Sequence, residues 1–328
     1  MEALSRKMAV GVDLGGTTIH TALVTLEGQL IAHEHCLTDA IKGVDTVIAH
    51  ICDSIRNVCA KGNIAPDDLL AIGIGSPGPL STKTGIVIDA PNLNGWVNVP
   101  LRDLVQQSFK APIFLDNDAN AAAYGEFWVG AGKGVQNLIA ITLGTGIGGG
   151  LIIDGKLFRG PDDTSGEIGH TTVLLDGPPC NCGSQGCLEA LSSATALVRR
   201  AVESLKSGSS SLLNQMSYHD YSKISSKMIY DAAVQGDLLS IELLRETGFY
   251  IGVSCASWVN VLNPEMIILF GGMMGAGEFI ITPIREEIRK RAFPQPAARV
   301  KIVPAILGND AGAIGAAGIA LAEFYPKP

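Results

Sequence analysis

The sequence has few of the features that mark membrane proteins or nucleic-acid-binding proteins. No apolar stretch approaches the ~20 residues that a membrane-spanning helix needs, since glycines interrupt even Met266–Met274. No run of five like charges occurs, and 32 acidic against 24 basic side chains give a net charge of −8. We therefore expect no membrane partner and no nucleic-acid partner.

Two shorter signals are also missing. Met1–Lys7 leads directly into a strand-like run that ends at Asp13, without the pattern of a signal or transit peptide. We therefore expect a cytoplasmic protein. The phosphate-binding sequence G-x-x-x-x-G-K-[ST] occurs nowhere, so any phosphate site must use another kind of turn.

What is present predicts an α/β protein. Aromatic residues make up only 5%, while glycine occupies 39 positions, a composition typical of tight turns between short elements. Apolar periodicity predicts a three-stranded meander at the N-terminus, followed by alternating helices and strands. The predicted strands cover 7–12, 21–26, a third run after residue 29, 71–74, 113–115, 266–270 and 301–304. The predicted helices cover 44–58, 100–109, 119–128, 238–261, 280–291 and 311–324.

A weak internal repeat relates the two halves of the chain. Leu14-Gly15-Gly16-Thr17 aligns with Leu143-Gly144-Thr145-Gly146, each between two predicted strands. The length of 328 residues accommodates two domains. We predict a smaller domain over 1–120 plus 311–328 and a larger one over 121–310, facing each other across a cleft.

Glycine-rich turns follow three predicted strands. Asp13-Leu14-Gly15-Gly16-Thr17 offers a carboxylate that could hold Mg²⁺ through water, bare backbone that lets N–H groups approach a phosphate, and a hydroxyl. An ordinary hairpin turn explains this segment equally well on its own. Equivalent turns in the second half favour a nucleotide site. The predicted ATP ligands are Asp13, Gly15, Gly16, Thr17, Thr18, Thr145, Gly146, Gly271 and Gly272.

A dinucleotide-binding enzyme is the alternative that these glycines raise. Gly73–Gly78 and Gly144–Gly149 both fit G-x-G-x-x-G. That fingerprint requires a helix directly after it, whereas the residues after Gly149 continue as a strand and Pro77-Gly78-Pro79 cannot start a regular helix. The context therefore excludes an NAD site.

A polar segment at a predicted helix start supplies the candidate catalytic base. Asp118 follows Asp116 and Asn117 and precedes an alanine-rich run. Capping of the helix is the simpler role for an aspartate in this position. The segment nevertheless holds more polar groups than one cap requires, and we predict that Asp118 is a general base.

One histidine and three cysteines have the spacing of a metal site. His170 is followed by Cys180, Cys182 and Cys187, a Cys₃His set that fits tetrahedral zinc. Disulfides are the alternative, but the expected reducing compartment argues against them. Four protein ligands leave no open position, so we predict structural Zn²⁺ and reject a zinc hydrolase.

Together these motifs resemble the ROK family of sugar kinases and repressors, within the actin-like ATPase (ribonuclease H-like) superfamily. The resemblance rests on Asp13–Thr17, Gly73–Gly78, Asn117–Ala121, Glu167–His170 and Cys180–Glu189. It implies a duplicated actin-like fold and the use of Mg-ATP. It also implies that Asp118 deprotonates a sugar hydroxyl and that His170 gives its other ring nitrogen to zinc. The implied sugar ligands are Gly75, Asn92, Asn117, Asp118, Glu167, His170 and Glu189.

The resemblance has one visible departure and several open points. Thr18 stands where many relatives carry lysine. We expect little loss of ATP affinity, since backbone N–H groups and Mg²⁺ can still neutralise the phosphate charge. Because about seven residues precede the first strand, we do not expect the DNA-binding segment of the repressor branch. Relatives are commonly dimers or tetramers, so we expect a homo-oligomer.

The resemblance implies an ATP-dependent hexose kinase that acts on glucose first, because Pro91-Asn92-Leu93 and Glu189 look like the glucokinase branch. N-acetylmannosamine, N-acetylglucosamine, mannose and fructose stay open as substrates. A sugar sensor of the same fold without catalysis is the alternative of a different class.

Overall fold

The computed structural model describes residues 7–326. The prediction that no export signal is present concerns Met1–Lys7, of which all but Lys7 lie outside that range. Among the described residues, no helix has both the length and the apolar character that crossing a bilayer requires.

Thirteen strands and eleven α-helices are found within the described residues. The strands are β1 (Met8–Leu14), β2 (Thr18–Thr25), β3 (Leu30–Leu37), β4 (Ala71–Ser76), β5 (Leu80–Ser81), β6 (Ile86–Asp89), β7 (Val97–Val99), β8 (Ile113–Asn117), β9 (Leu138–Leu143), β10 (Ile147–Ile153), β11 (Lys156–Leu157), β12 (Met266–Phe270) and β13 (Lys301–Pro304). The helices are α1 (Val44–Lys61), α2 (Leu101–Gln106), α3 (Asp118–Trp128), α4 (Leu188–Ser192), α5 (Ala194–Lys206), α6 (Leu212–Met216), α7 (Ser226–Val234), α8 (Leu238–Leu262), α9 (Glu278–Arg291), α10 (Pro294–Arg299) and α11 (Ala311–Phe324).

Two five-stranded sheets have the same strand order. The first is β3-β2-β1-β4-β8 and the second is β11-β10-β9-β12-β13, so each reads third, second, first, fourth and fifth in its own chain order. In the first sheet β1 and β2 are antiparallel, while β1, β4 and β8 are parallel. In the second sheet β9, β12 and β13 are likewise parallel. This identity of order confirms the internal repeat.

The chain divides into two compact units. Within the described range, the first comprises 7–136, 150–166 and 305–326, and the second comprises 137–149 and 167–304. The predicted boundary after residue 120 falls inside α3, which belongs to the first unit. The division into a domain of 1–120 plus 311–328 and a domain of 121–310 stays a prediction.

Side-chain alternation gives the two faces of the first sheet different characters. Val10, Val12 and Leu14 of β1 join the large apolar core that also includes the buried face of α1. Ala9 lies on the opposite face with residues of α11. Because successive side chains of a strand point to opposite faces, Asp13 shares the face of Ala9.

The α11 face of this sheet is built from very small residues, so that main chains lie close together. A Cβ added at Gly11 of β1 would collide with the carbonyl oxygen of Ala313, and one at Gly73 of β4 with that of Ala316. Between α11 and α3, a Cβ added at Gly315 would collide with the carbonyl oxygen of Ala121. Glycine at these positions allows α11 to pack directly on the strands and on α3.

Most predicted elements are confirmed. The N-terminal meander, α1, α3, α8, α9, α11, β12 and β13 all occur, with bounds within a few residues of those expected. The sequence pattern did not predict the small sheet β5-β6-β7, helices α4 to α7 or helix α10. Cys52, Cys59 and Cys255 are buried, whereas Cys36 is only partly buried against the core.

Candidate active site

The β1–β2 hairpin turn lies open at the end of the first sheet. The amide of Gly15 donates to the carbonyl of Thr18 at 3.0 Å, which closes the turn. The Thr38 hydroxyl donates to the Gly15 carbonyl at 2.7 Å and fixes the turn from outside. Gly16 and Thr17 are exposed. The turn therefore presents backbone and a hydroxyl to solvent, as a phosphate-binding turn requires.

Four more predicted site residues surround this turn. Asp13 pairs with Gly75 across the parallel strands β1 and β4. A Cβ added at Gly75 would lie 3.4 Å from the Cα of Asp118, and one at Gly16 would lie 3.3 Å from the Cβ of Asn92. The first unit thus brings Asp13, the turn, Gly75, Asn92 and Asp118 into one neighbourhood.

Asn117, the residue before α3, caps this helix. The Asn117 Oδ1 accepts from the amides of Ala119 at 2.9 Å and Asn120 at 3.2 Å, which is the capping geometry. Asp118 is the first helical residue, and its Oδ1 accepts from Ala119 at 2.8 Å. Because Asn117 supplies the cap, capping alone does not explain the aspartate that follows it.

The buried carboxylate of Asp116 stabilises the first turn of α3 by hydrogen bonds. Asp116 is 2% exposed. Its Oδ1 accepts from the Asn117 amide at 2.8 Å and from Asn120 Nδ2 at 3.0 Å. Its Oδ2 accepts from Arg159 Nε at 2.7 Å. A buried carboxylate thus connects the end of β8 to the first turn of α3.

The electrostatics of the site centre on Asp13. Burial, reinforced by the nearby charge of Asp118, raises the pKa of Asp13 from its ordinary 3.8 to about 7. Two acidic side chains that share a site resist simultaneous ionisation. Such a pair is suited to a cation, because positive charge stabilises both carboxylates.

The β9–β10 turn of the second unit contains Thr145 and Gly146. The Gly144 amide donates to the Gly146 carbonyl at 3.0 Å, much as Gly15 donates to Thr18. The Thr195 hydroxyl donates to the Thr145 carbonyl at 2.8 Å. A Glu189 carboxylate oxygen accepts from the Ile147 amide at 2.9 Å. The structure therefore joins this turn to Glu189.

The third glycine pair follows β12. Gly271 has a φ of 102° and Gly272 begins a short 3₁₀ helix. A Cβ added at Gly271 would collide with the carbonyl oxygen of Leu143. Gly271 therefore lies against the end of β9, beside the turn that holds Thr145.

The predicted zinc ligands lie together. The donor atoms of His170, Cys180, Cys182 and Cys187 are all within 4.8 Å of one another. The sulfurs of Cys182 and Cys187 are 3.7 Å apart, and the Cys180 sulfur is 3.6 Å from His170 Nδ1. Tetrahedral zinc with sulfurs at about 2.3 Å sets them roughly 3.8 Å apart. The four side chains therefore fit this ion.

The imidazole of His170 has two distinct sides. Nδ1 faces Cys180, while Nε2 lies 3.9 Å from a carboxylate oxygen of Glu167, a largely exposed side chain. Nε2 is therefore the nitrogen on the side of Glu167, away from the thiols.

The thiols of the cluster differ in their electrostatic surroundings. Burial raises the pKa of Cys187, whereas the Ser184 backbone amide lowers the pKa of Cys182.

Sequence reasoning missed Arg159 and Thr195. Neither belongs to a recognised motif, and their roles follow from which carboxylate or carbonyl the fold places beside them. The catalytic, sugar-binding and ATP-binding roles of the predicted residues stay predictions.

The two sheets of identical order, each with a glycine-rich hairpin end, define an actin-like ATPase fold. The chain belongs to the ROK family, whose sequence model matches residues 9–323.

Relatives in this family include both enzymes and regulators. The chain is 38% identical to a glucokinase of Halalkalibacterium halodurans over 95% of its own length and 94% of that protein. It is 34% identical to a xylose repressor of Caldicellulosiruptor bescii over 97% of its own length and 79% of the repressor. Among solved structures, a ROK family glucokinase from Streptomyces griseus in complex with glucose and AMPPNP has a TM-score of 0.81 and 35% identity. That match covers 95% of this chain and 99% of the other.

Proposed function

We propose that this chain is an ATP-dependent hexose kinase that phosphorylates glucose. The observation that carries the proposal is the first turn of α3, where Asn117 caps the helix and Asp118 follows beside Gly75. The extended similarity to a glucokinase of Halalkalibacterium halodurans supports the choice of sugar.

The Asp118 carboxylate is proposed to accept the proton of the attacking hydroxyl. Phosphoryl transfer needs little covalent chemistry from the protein, which must align the hydroxyl with the γ-phosphate and balance charge. Asp118 Oδ1 is held by the Ala119 amide at 2.8 Å, which fixes the orientation of the carboxylate. A fixed acceptor removes the hydroxyl proton as the new P–O bond forms.

The remaining ligands are proposed in two groups. The hairpin turns and glycine pairs around Thr17, Thr145 and Gly271 would bind ATP, and Asp13 would hold Mg²⁺ through water. The sugar ligands would be Asn92, Asn117, Glu167, His170 and Glu189. The Asn117 cap uses Oδ1, so Nδ2 is the atom that would donate to a sugar oxygen.

Zinc would be held by His170, Cys180, Cys182 and Cys187, and when bound it supplies structural support. With Nδ1 directed to the metal, Nε2 of His170 would face the sugar together with Glu167. The histidine would then have a fixed tautomer, because a metal on one nitrogen decides which nitrogen carries the proton. A cytoplasmic location and a homo-oligomeric state remain part of the proposal.

A sugar sensor without catalysis is the second candidate. The similarity to a xylose repressor across 97% of this chain favours it. The two candidates differ in turnover, because a sensor binds sugar but transfers no phosphate.

A coupled ADP-release assay with Mg-ATP tests the proposal. The panel contains glucose, mannose, fructose, N-acetylmannosamine and N-acetylglucosamine. We expect the highest turnover on glucose. Turnover on another sugar would correct the substrate, and no turnover on any sugar, with calorimetric sugar binding intact, would favour the sensor.

The variant Asp118→Asn tests the base. We expect kcat to fall by about 10³-fold or more, because the amide cannot accept the proton, with glucose affinity largely kept in calorimetry. Asp45→Asn is the matched control, since Asp45 is an exposed acid in the first turn of α1. Near-normal turnover of Asp118→Asn would refute the assignment.

A further inference from the structure

Arg159 forms an ion pair with Asp116, which lies two positions before the proposed base in the sequence. Arg159 Nε donates to Asp116 Oδ2 at 2.7 Å, with the two side chains 22% and 3% exposed. The guanidinium also lies over the ring of Phe114, 5.3 Å from its centroid. Arg159 is therefore held by an ion pair and by a stacking contact at once.

Because the Asp116 carboxylate is buried, the loss of Arg159 would have a large energetic cost. An ionised carboxylate withdrawn from water requires a cation or several donors, and removing one partner of a buried pair leaves an uncompensated charge. Asp116 cannot turn toward solvent without abandoning the Asn117 amide and Asn120 Nδ2. Losing Arg159 therefore destabilises the whole arrangement around Asp116.

The hydrogen-bond partners of Asp116 come directly before and shortly after the proposed base in the sequence. Asp116 bonds to residues 117 and 120, which lie on either side of Asp118 in sequence. Asn117 in turn caps the helix at Ala119 and Asn120. A shift of Asp116 would move the cap and with it the direction of the Asp118 carboxylate.

A second arginine nearby, Arg102, does not bond to Asp116. Arg102 and Arg159 both line a cavity of about 610 Å³ beside Phe114. Arg102 donates to the carbonyls of Lys83 at 3.2 Å and Thr84 at 2.8 Å. Arg102 thus offers the same charge in the same cavity, bonded to a different loop.

We propose that Arg159 is a positioning residue for the kinase reaction, holding Asp116 so that the first turn of α3 directs Asp118 at the sugar hydroxyl. This proposal rests on the proposed function. Arg159 acts through Asp116 and stabilises the ready position of the base.

The kinetic test compares Arg159→Met with Arg102→Met in the glucose assay. We expect Arg159→Met to lower kcat by about 10- to 100-fold, since small misplacements of reacting groups have effects of that size. The KM for ATP should stay within about twofold of the wild-type value, because the hairpin turns are untouched. Arg102→Met should retain wild-type kcat.

A rescue experiment identifies the cause. Asp116→Asn added to Arg159→Met removes the uncompensated charge while keeping an oxygen for Asn117 and Asn120. We expect the double variant to recover most of the lost kcat. Arg159→Lys, which keeps the charge but not the planar guanidinium, should lie between wild type and Arg159→Met.

Hydrogen exchange provides a readout that does not depend on activity. We expect amides 117–120 to exchange faster in Arg159→Met than in wild type and Arg102→Met. If the wild type transfers phosphate and Arg159→Met has normal kcat, the positioning role is refuted while the kinase assignment stands. If the wild type transfers no phosphate, the proposed function fails, and unchanged exchange at 117–120 would refute the positioning of the turn as well. Should Arg159→Met not fold, Arg159→Lys carries both measurements.

Discussion

Glu126 is a buried carboxylate in α3 whose removal should have a large effect on stability. Its side chain is completely buried. One carboxylate oxygen accepts from the amides of Ile306 at 2.9 Å and Leu307 at 2.8 Å, and the other accepts from Ala131 at 2.8 Å. A single side chain thus supports the chain after α3 and the segment before α11.

The size of the effect follows from these three amides. Ile306 is a largely exposed residue, so water can replace the carboxylate at its amide. The other two donors lose their acceptor in Glu126→Ala, at ~1–3 kcal/mol each, which predicts a loss of about 2–6 kcal/mol. Glu126→Gln keeps one oxygen for Ile306 and Leu307 and loses the acceptor for Ala131, so we expect about 1–3 kcal/mol.

Thermal unfolding of the full chain measures this series. At ~2–4 °C per kcal/mol for a unit of this size, Glu126→Ala should melt at least about 4 °C below wild type, with Glu126→Gln between them. Glu323→Ala is the control, because Glu323 is an exposed glutamate on helix α11. The reasoning is wrong if Glu126→Ala and Glu323→Ala melt together at the wild-type temperature.

The remaining predictions concern the two proposed metal-binding regions. Because burial raises the pKa of Asp13 to about 7, the folded chain holds a proton on Asp13 between its ordinary 3.8 and about 7 that the unfolded chain does not. The contribution of Asp13 to the free energy of unfolding therefore falls as pH rises through that window. Binding of Mg-ATP at pH 6 should release this proton, and the affinity for Mg-ATP should weaken as pH falls. Calorimetry in two buffers of different ionisation enthalpy detects the proton release. The same proton release in wild type and in Asp13→Asn would contradict this prediction. Elemental analysis should find about one zinc per chain, and the zinc content should fall in Cys182→Ser but not in the control Cys36→Ser. Cys182→Ser should also raise the KM for glucose. Zinc-free protein that melts and turns over like wild type would argue against a structural metal.

The elements that sequence reasoning located are those whose apolar pattern is long or strongly buried. α8 and α11 were predicted almost to the residue, because burial on several sides leaves long apolar runs bounded by polar residues. The three short strands β5, β6 and β7 were missed, since strands of two to four residues carry too little periodicity.

The candidate site also contains residues that sequence could predict and residues that it could not. The cluster of His170, Cys180, Cys182 and Cys187 was predictable because its four members fall within one short stretch of chain, and their spacing alone brings them together. Arg159 was not predictable from sequence, since its partner Asp116 lies 43 positions earlier in the chain and only the fold brings the two together. Contacts of that kind depend on tertiary structure and leave no local pattern.

The close packing of α11 has a consequence for the order in which the chain can fold during synthesis. β1 and α11 lie at opposite ends of the described sequence, and Ala9, Ala22 and Val24 of the first sheet share a buried cluster with Ala313 and Ala317. A ribosome makes the chain from its N-terminus, so this face of the sheet waits uncovered while about 290 further residues are added. The second unit, 137–149 and 167–304, is synthesised before α11 (Ala311–Phe324). Among the described helices, α11 is therefore made last, and it completes the first unit. Until α11 has emerged, one face of the strands that carry Asp13 and Gly75 stays uncovered and prone to aggregation.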